Sequence, residues 1–226
     1  MIKAAIFDLD GTLLDSMPLW LNAGEIYLKK LNIKSEKDLG RKLLEMTMEE
    51  GAIYLKKEYK LPLSVKEICE GINNLLKENY AFSIQLKPYA FKLLSFLKEN
   101  GCKIALCTNT SASLFEKALE RLKIAHFFDY KITTETFGSS KAKPDIFLHT
   151  AEVLGLKPEE TYVFEDALYA IKTAKKAGFK TAGVFDNSSK SAWTEIKKLS
   201  DIVIENEIDL SKKPFLKYEA FYKYEV

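Results

Sequence analysis

The stretch IFDLDGTLLDS, residues 6–16, closes an apolar run with two aspartates two positions apart, then a Gly-Thr turn and a third acid, Asp15. Two carboxylates about 4 Å apart repel by on the order of 4 kcal/mol at an effective dielectric of 20. Setting Asp8 and Asp10 at the mouth of a buried strand therefore calls for a compensating cation. The strand is read from IKAAIF, residues 2–7, a short continuous apolar run of the kind buried on both faces of a parallel sheet.

Outward from that strand the pattern changes. Residues 16–86 carry only helical periodicity, with Leu19, Ala23, Ile26 and Tyr27 at helical spacing and Ile68, Ile72, Leu75 and Leu76 likewise. Ser35 and Thr47, each with an acid three positions on, have the form of helix N-caps. A segment this long is not a loop. It is expected to be a helical insertion, residues 16–86, in a core made of 1–15 and 87–226. After Pro88, helices over 89–99, 111–123, 145–154, 167–177 and 189–199 alternate with strands over 102–107, 130–132, 161–165, 180–185 and 201–205. This alternation predicts an α/β fold: a Rossmann-like, three-layer core with a parallel sheet, and an inserted all-helical cap domain.

The bulk numbers bound the function. Of 226 residues, 47% are hydrophobic and 29% charged, enough for a substantial core. The net charge of +2 comes from 34 basic and 32 acidic residues that are interspersed, which gives no nucleic-acid or membrane signal. No apolar run approaches the ~18 residues of a membrane span, and Met1 runs into the first strand without the pattern of a secretory leader. The expectation is a cytoplasmic protein whose cysteines, Cys69, Cys102 and Cys107, are reduced core thiols without metal-type spacing. The tail FLKYEAFYKYEV, residues 215–226, has no clean period and is expected to pack on the core.

Ligands of parallel α/β sheets bind beyond the carboxyl ends of the strands. Applied here, that rule gathers Asp8 and Asp10, then Thr108 and Asn109, then the loop TETFGSSKAKPD with Lys141 and Lys143, then Glu165 and Asp166. Acids, a hydroxyl and a lysine on one rim suit Mg²⁺ with a phosphate. The ion takes oxygen ligands and usually needs only one or two direct carboxylates, and it lets a carboxylate approach an anionic phosphate. One carboxylate can then act as nucleophile, and a second, held by the turn at Gly11, can move the proton.

DLDGTLLDS, CTNT, the lysine loop and VFEDA stand in the order and spacing of the haloacid dehalogenase superfamily. Over residues 1–205 the chain resembles its phosphatase branch, of phosphoglycolate phosphatase and β-phosphoglucomutase type, with a helical cap after the first strand. The resemblance implies a Mg²⁺-dependent phosphatase acting on a small phosphorylated metabolite, of sugar phosphate, phosphoglycolate or nucleotide type, through an aspartyl-phosphate. It makes Asp8 the nucleophile and Asp10 the general acid/base. Thr108, Asn109 and Lys141 would bind phosphate, and the metal would be held by Asp8, Asp10 (through its backbone carbonyl), Glu165 and Asp166. The family's Lys-Pro-x-Pro-Asp run becomes KAKPD here, and counting back from Pro144 selects Lys141 over Lys143. Ala167 stands where relatives often carry Ser.

The nearest rival in chemistry is phosphoryl transfer of the β-phosphoglucomutase type. That family carries a histidine on the first cap helix, at the place that Trp20 takes here. Asp10 argues against a dehalogenase and a phosphonatase, and a non-catalytic module on this fold is the alternative outside enzymes. His126 and His149 are expected to be structural, Trp20 and Glu25 packing and surface, and Asp15 a brace for the turn into the insertion. Trp20, Glu25 and the loop near 46–51 are the candidates for substrate selectivity. No partner chain is implied, since a closing cap works in a monomer.

Overall fold

The structure is a computed structural model that describes residues 2–44, 46, 48–211 and 215. Six strands form one parallel sheet in the order β3-β2-β1-β4-β5-β6: β1 (Ala4–Phe7), β2 (Lys103–Thr108), β3 (Tyr130–Thr133), β4 (Thr161–Glu165), β5 (Lys180–Val184) and β6 (Ile202–Ile204). The helices are α1 (Met17–Lys30), α2 (Leu39–Leu44), α3 (Met48–Glu58), α4 (Val65–Phe82), α5 (Ala90–Glu99), α6 (Ala112–Arg121), α7 (Thr134–Phe137), α8 (Asp145–Val153), α9 (Leu168–Lys176) and α10 (Trp193–Leu199). The first four belong to the inserted segment, and the others alternate with the strands.

The middle of each central strand is apolar because both of its faces are covered. Successive side chains point to opposite sides of a strand. In β1, Ala5 and Phe7 join the cluster that contains Leu93 and Leu97 of α5 and Phe115 of α6, while Ala4 and Ile6 join Ile146 and Phe147 of α8 and Ala170 of α9. Phe7 stacks on Phe164 of β4 with ring centroids 4.3 Å apart, and burying a side chain of that size contributes about 1.5–3 kcal/mol.

The insertion leaves and rejoins the core at one place. The Asp15 N–H donates to the Gln85 carbonyl at 2.9 Å and the Lys87 N–H to the Leu13 carbonyl at 2.8 Å, so the two crossings lie side by side. Tyr80 and Ile68 of α4 and Leu28 of α1 extend the core cluster on the α5 and α6 side into the inserted helices.

Local signals differ from the sequence reading in a few places. Ser35 caps no helix: α2 starts at Leu39, and Asp38 just before it has φ +61°. Thr47 lies outside the described residues. The capping box that does form is at Ser64, whose hydroxyl accepts from the Glu67 N–H at 3.2 Å while the Glu67 carboxylate accepts from the Ser64 N–H at 2.7 Å. The loop after β3 contains the one-turn helix α7, capped by the Thr133 hydroxyl, which accepts from the Thr136 N–H at 3.0 Å. The helix near 189–199 begins as a 3-10 segment, Asn187–Ala192, because the Asp186 carboxylate takes the Ser188 N–H at 2.8 Å. Of the tail, Phe215 is described and buried, and residues 216–226 lie outside the described residues.

Candidate active site

β1 and β4 are central neighbours, but the chain runs from β1 outward to β2 and β3 and from β4 the opposite way to β5 and β6. Their carboxyl ends therefore flank the crevice where sheets of this kind bind ligands. The Asp8 N–H donates to the Phe164 carbonyl at 3.0 Å, which carries the ladder one residue further and sets Asp8 level with Glu165. By the two-residue alternation both follow Ile6 and Val163 toward the α8 and α9 side. Lys141 arrives from that side, in the loop ahead of α8. Its ammonium donates to Asp8 Oδ1 and, at 2.8 Å, to Glu165 Oε1, and the residue is only 1% exposed.

Asp166 completes the group. The Thr12 hydroxyl donates to it at 3.3 Å. Gly11, at φ +84°, passes so close that a Cβ there would sit 2.6 Å from Asp166 Oδ2, so the turn requires glycine both for its backbone angle and for space. Asp8, Glu165 and Asp166 are all buried, and each offers an oxygen within 4.8 Å of the others. Burial pushes the Asp8 carboxyl up to about 7, Lys141 pulls against that shift, and Glu165 and Asp10 add to it. Burial, with Glu165, Asp8 and Asp186, holds Asp166 well above the usual carboxylate range. Burial opposes the charge on Lys141, but Asp8 and Glu165 outweigh it and hold the ammonium well above its usual range. One ammonium thus faces three carboxylates, and a set of hard oxygen donors short of positive charge fits a divalent cation.

Asp10 is turned elsewhere. Its carboxylate accepts from the Ser16 hydroxyl at 2.5 Å, the Thr110 hydroxyl at 2.6 Å and the Tyr80 hydroxyl. The Trp20 indole N–H donates to the Tyr80 oxygen at 2.8 Å. An indole only donates, so the direction of this chain is set: Trp20 to Tyr80 to Asp10. Burial and the Asp10 carboxylate push the Tyr80 hydroxyl well above its usual range, so it keeps its proton. Thr108, fully buried, accepts from the Thr110 N–H at 3.0 Å, and Asn109 donates from the rim to the Tyr169 hydroxyl at 3.1 Å. All of these predicted site residues line one cavity of about 810 Å³.

A model of the haloacid dehalogenase-like hydrolases matches residues 5–184. The chain belongs to that family. Among relatives of this hydrolase, a phosphoglycolate phosphatase of Aquifex aeolicus is 32% identical over 190 residues, which cover 80% of this chain and 84% of that protein. A β-phosphoglucomutase of Bacillus subtilis is 28% identical over 215 residues, covering 90% and 93%. In fold the hydrolase is similar to the crystal structure of CbbY from Rhodobacter sphaeroides in complex with phosphate, with a TM-score of 0.75 over 90% of this chain and 94% of that one at 24% identity.

The remaining candidates in this hydrolase separate clearly. Lys143 is exposed, whereas Lys141 contacts Asp8. Asp15 stands 3.9 Å from the Lys87 ammonium, which also binds Asp186 at 2.5 Å. His149 meets the Tyr130 hydroxyl at 3.3 Å and His126 leans on the Phe127 ring, both outside the cavity. Glu25 is exposed and does not line the cavity, whereas Trp20 packs against the core cluster, as expected, and also lines the cavity. The three cysteines are unpaired, and burial pushes the Cys102 and Cys107 thiols up to about 12, while Cys69 is only half-buried. Among the described residues, no helix is long and apolar enough to cross a membrane.

Sequence reasoning missed Tyr80, Ser16 and Thr110 as partners of Asp10. Ser16 and Thr110 stand inside the quoted motifs, so their hydroxyls were a usable signal. Tyr80 gave none, because it continues the apolar face of α4 marked by Ile72 and Leu76.

Proposed function

We propose that this hydrolase is a Mg²⁺-dependent phosphatase that releases phosphate from a small phosphorylated metabolite through an aspartyl-phosphate on Asp8. The observation that carries this reading is Lys141 lodged between Asp8 and Glu165, with Asp166 beside them at the central strand ends. Asp8, Glu165, Asp166 and the Asp10 backbone carbonyl would hold Mg²⁺, which would neutralise charge between phosphate and carboxylates. Asp8 attacks phosphorus while Asp10 gives its proton to the departing alkoxide. Asp10 then takes a proton from the water that attacks the same phosphorus, which releases phosphate and restores Asp8. Lys141, Thr108 and Asn109 hold the phosphoryl oxygens as charge spreads over them. Ser16, Thr110 and Tyr80 orient Asp10, and Trp20 orients Tyr80.

In this reading residues 16–86 are a cap that closes on the core of 1–15 and 87–226 by bending at the paired crossings, which excludes water. The protein works as a cytoplasmic monomer without nucleic-acid or membrane partners. The test is phosphate release from p-nitrophenyl phosphate and a panel of sugar phosphates with Mg²⁺. Activity should vanish in EDTA and in Asp8→Asn, and activity that survives both overturns the mechanism.

The Bacillus subtilis relative motivates a second reading, phosphoryl transfer on a sugar phosphate. Trp20 at the position of the mutase histidine favours hydrolysis. β-Glucose 1-phosphate with a trace of the bisphosphate should yield only inorganic phosphate, and accumulation of glucose 6-phosphate would reverse the choice.

A further inference from the structure

The floor and the roof of the cavity differ in kind. The floor carries five carboxylates, on Asp8, Asp10, Glu135, Glu165 and Asp166, and one ammonium, on Lys141. The roof comes from the inserted helices, where Trp20, Leu43, Met48, Leu55 and Ile72 face the same space and Asn73 supplies an amide. Among the described residues, no lysine or arginine of 16–86 lines the cavity. The two residues of that segment outside the description, Glu45 and Thr47, are not cations. Of the cations on α2, Lys42 is tied to Glu36 at 3.2 Å and Tyr54 at 2.8 Å away from the cavity, and Arg41 is exposed.

Even with Mg²⁺ held there, five carboxylates outnumber the positive charges of the floor, and a bound phosphate adds to that excess. A second anion on the leaving alcohol would then lose its hydration against apolar side chains with no cation to replace it. A polyol directed at the roof would find the Asn73 amide and little else for its hydroxyls. We propose that the site takes monoesters whose leaving alcohol carries no second anionic group and turns an apolar face to the roof, aryl or alkyl phosphates rather than esters with a carboxylate or a second phosphate. This rests on the phosphatase reading above and narrows it.

The experiment compares kcat/KM of the Mg²⁺-loaded wild-type protein on p-tolyl phosphate and 4-(carboxymethyl)phenyl phosphate, whose leaving phenols are similar in acidity, with propyl phosphate and phosphoglycolate as the alkyl pair. The neutral member of each pair should be favoured by at least about tenfold. Met48→Lys, a half-buried position on the roof, should narrow both ratios by raising turnover of the charged member. Equal or reversed ratios in the wild type overturn this inference and leave the phosphatase reading standing. An unchanged ratio in a folded Met48→Lys protein also overturns it. No turnover of any of the four esters overturns this inference, and it overturns the phosphatase reading as well only if p-nitrophenyl phosphate and the sugar phosphates are also left intact.

Discussion

At the amino edge of the sheet, Asp129 accepts from the Ile104 N–H at 2.8 Å and from the Lys98 ammonium at 2.5 Å. Asp201 repeats the device on the other wing, with the Thr181 N–H at 2.8 Å and Lys175 at 2.7 Å. At the carboxyl edge, Asp8, Glu165 and Asp166 share Lys141. Helices of a parallel α/β unit end at the amino edge, so lysines in the last turns of α5 and α9 favour that end of the helix dipole and meet the aspartates there. Partial burial opposes the charge on Asp129 and Asp201, but their lysines and N–H donors prevail and hold both carboxyls below the usual range. At the carboxyl edge, the Asp8 and Asp166 carboxyls are pushed the other way. One edge pairs its acids with lysines and N–H donors of the chain, and the other sets three carboxylates against one ammonium.

Substitutions should break this contrast in a definite order. Lys141→Met leaves Asp8 and Glu165 buried without their ammonium, and removing one partner of a buried ion pair costs about 3–5 kcal/mol. Thermal unfolding should show that loss, together with loss of phosphate release. A neutral result would mean that Lys141 is not what holds the edge together.

Asp166→Asn should separate function from stability. It removes a carboxylate that Glu165, Asp8 and Asp186 oppose. Unfolding in EDTA should shift upward by about 2–4 °C for a gain of about 1 kcal/mol in a chain of this size, while Mg²⁺-dependent turnover falls by about a hundredfold or more. A downward shift in EDTA would place Asp166 with the structural acids of the other edge.

The pH dependence follows with opposite signs at the two edges. With its folded value raised to about 7, Asp8 is ionised more readily in the unfolded chain, so its contribution to stability without metal falls as pH rises from about 4 toward 7. Since the ionised form binds a cation, Mg²⁺ should raise the unfolding temperature more at pH 8 than at pH 5. Equal shifts at the two pH values would remove the titrating carboxylate from the metal site. Asp129 and Asp201 contribute stability that is present above about pH 4 and lost as pH falls through their lowered values. Asp201→Asn and Asp129→Asn should each cost less than about 1 kcal/mol, since both ion pairs are partly open to solvent. That cost should shrink as unfolding scans move from about pH 5 to below about pH 4, and a cost that stays constant across that range would show that the amide loses geometry rather than charge.

Much of the carboxyl edge was legible in the sequence because it is written in short local runs. DLDGT, CTNT and VFED each place their polar residues directly after an apolar strand, and the parallel topology brings strand ends together whatever lies between them. The choice of Lys141 followed from its spacing to Pro144. Ser35 misled because a hydroxyl with an acid three residues on is also common in turns, and the chain at Asp38 adopts a left-handed backbone instead of starting a helix. Asp129 and Asp201 were not distinguished from other surface acids, since their partners lie 25 and 20 residues away on neighbouring strands.

The sequence by itself determined the alternation of strands and helices, the helical insertion and the acids, hydroxyls and lysine at the strand ends, because these depend on residues adjacent in the chain. Only the tertiary structure decided that Asp10 is held by Ser16, Thr110 and Tyr80, that Trp20 reaches it through Tyr80, and that an apolar roof faces a carboxylate floor. Those relations join residues up to 100 positions apart, and a side chain on the buried face of α4 has the same periodicity whether it packs against leucine or donates to an aspartate.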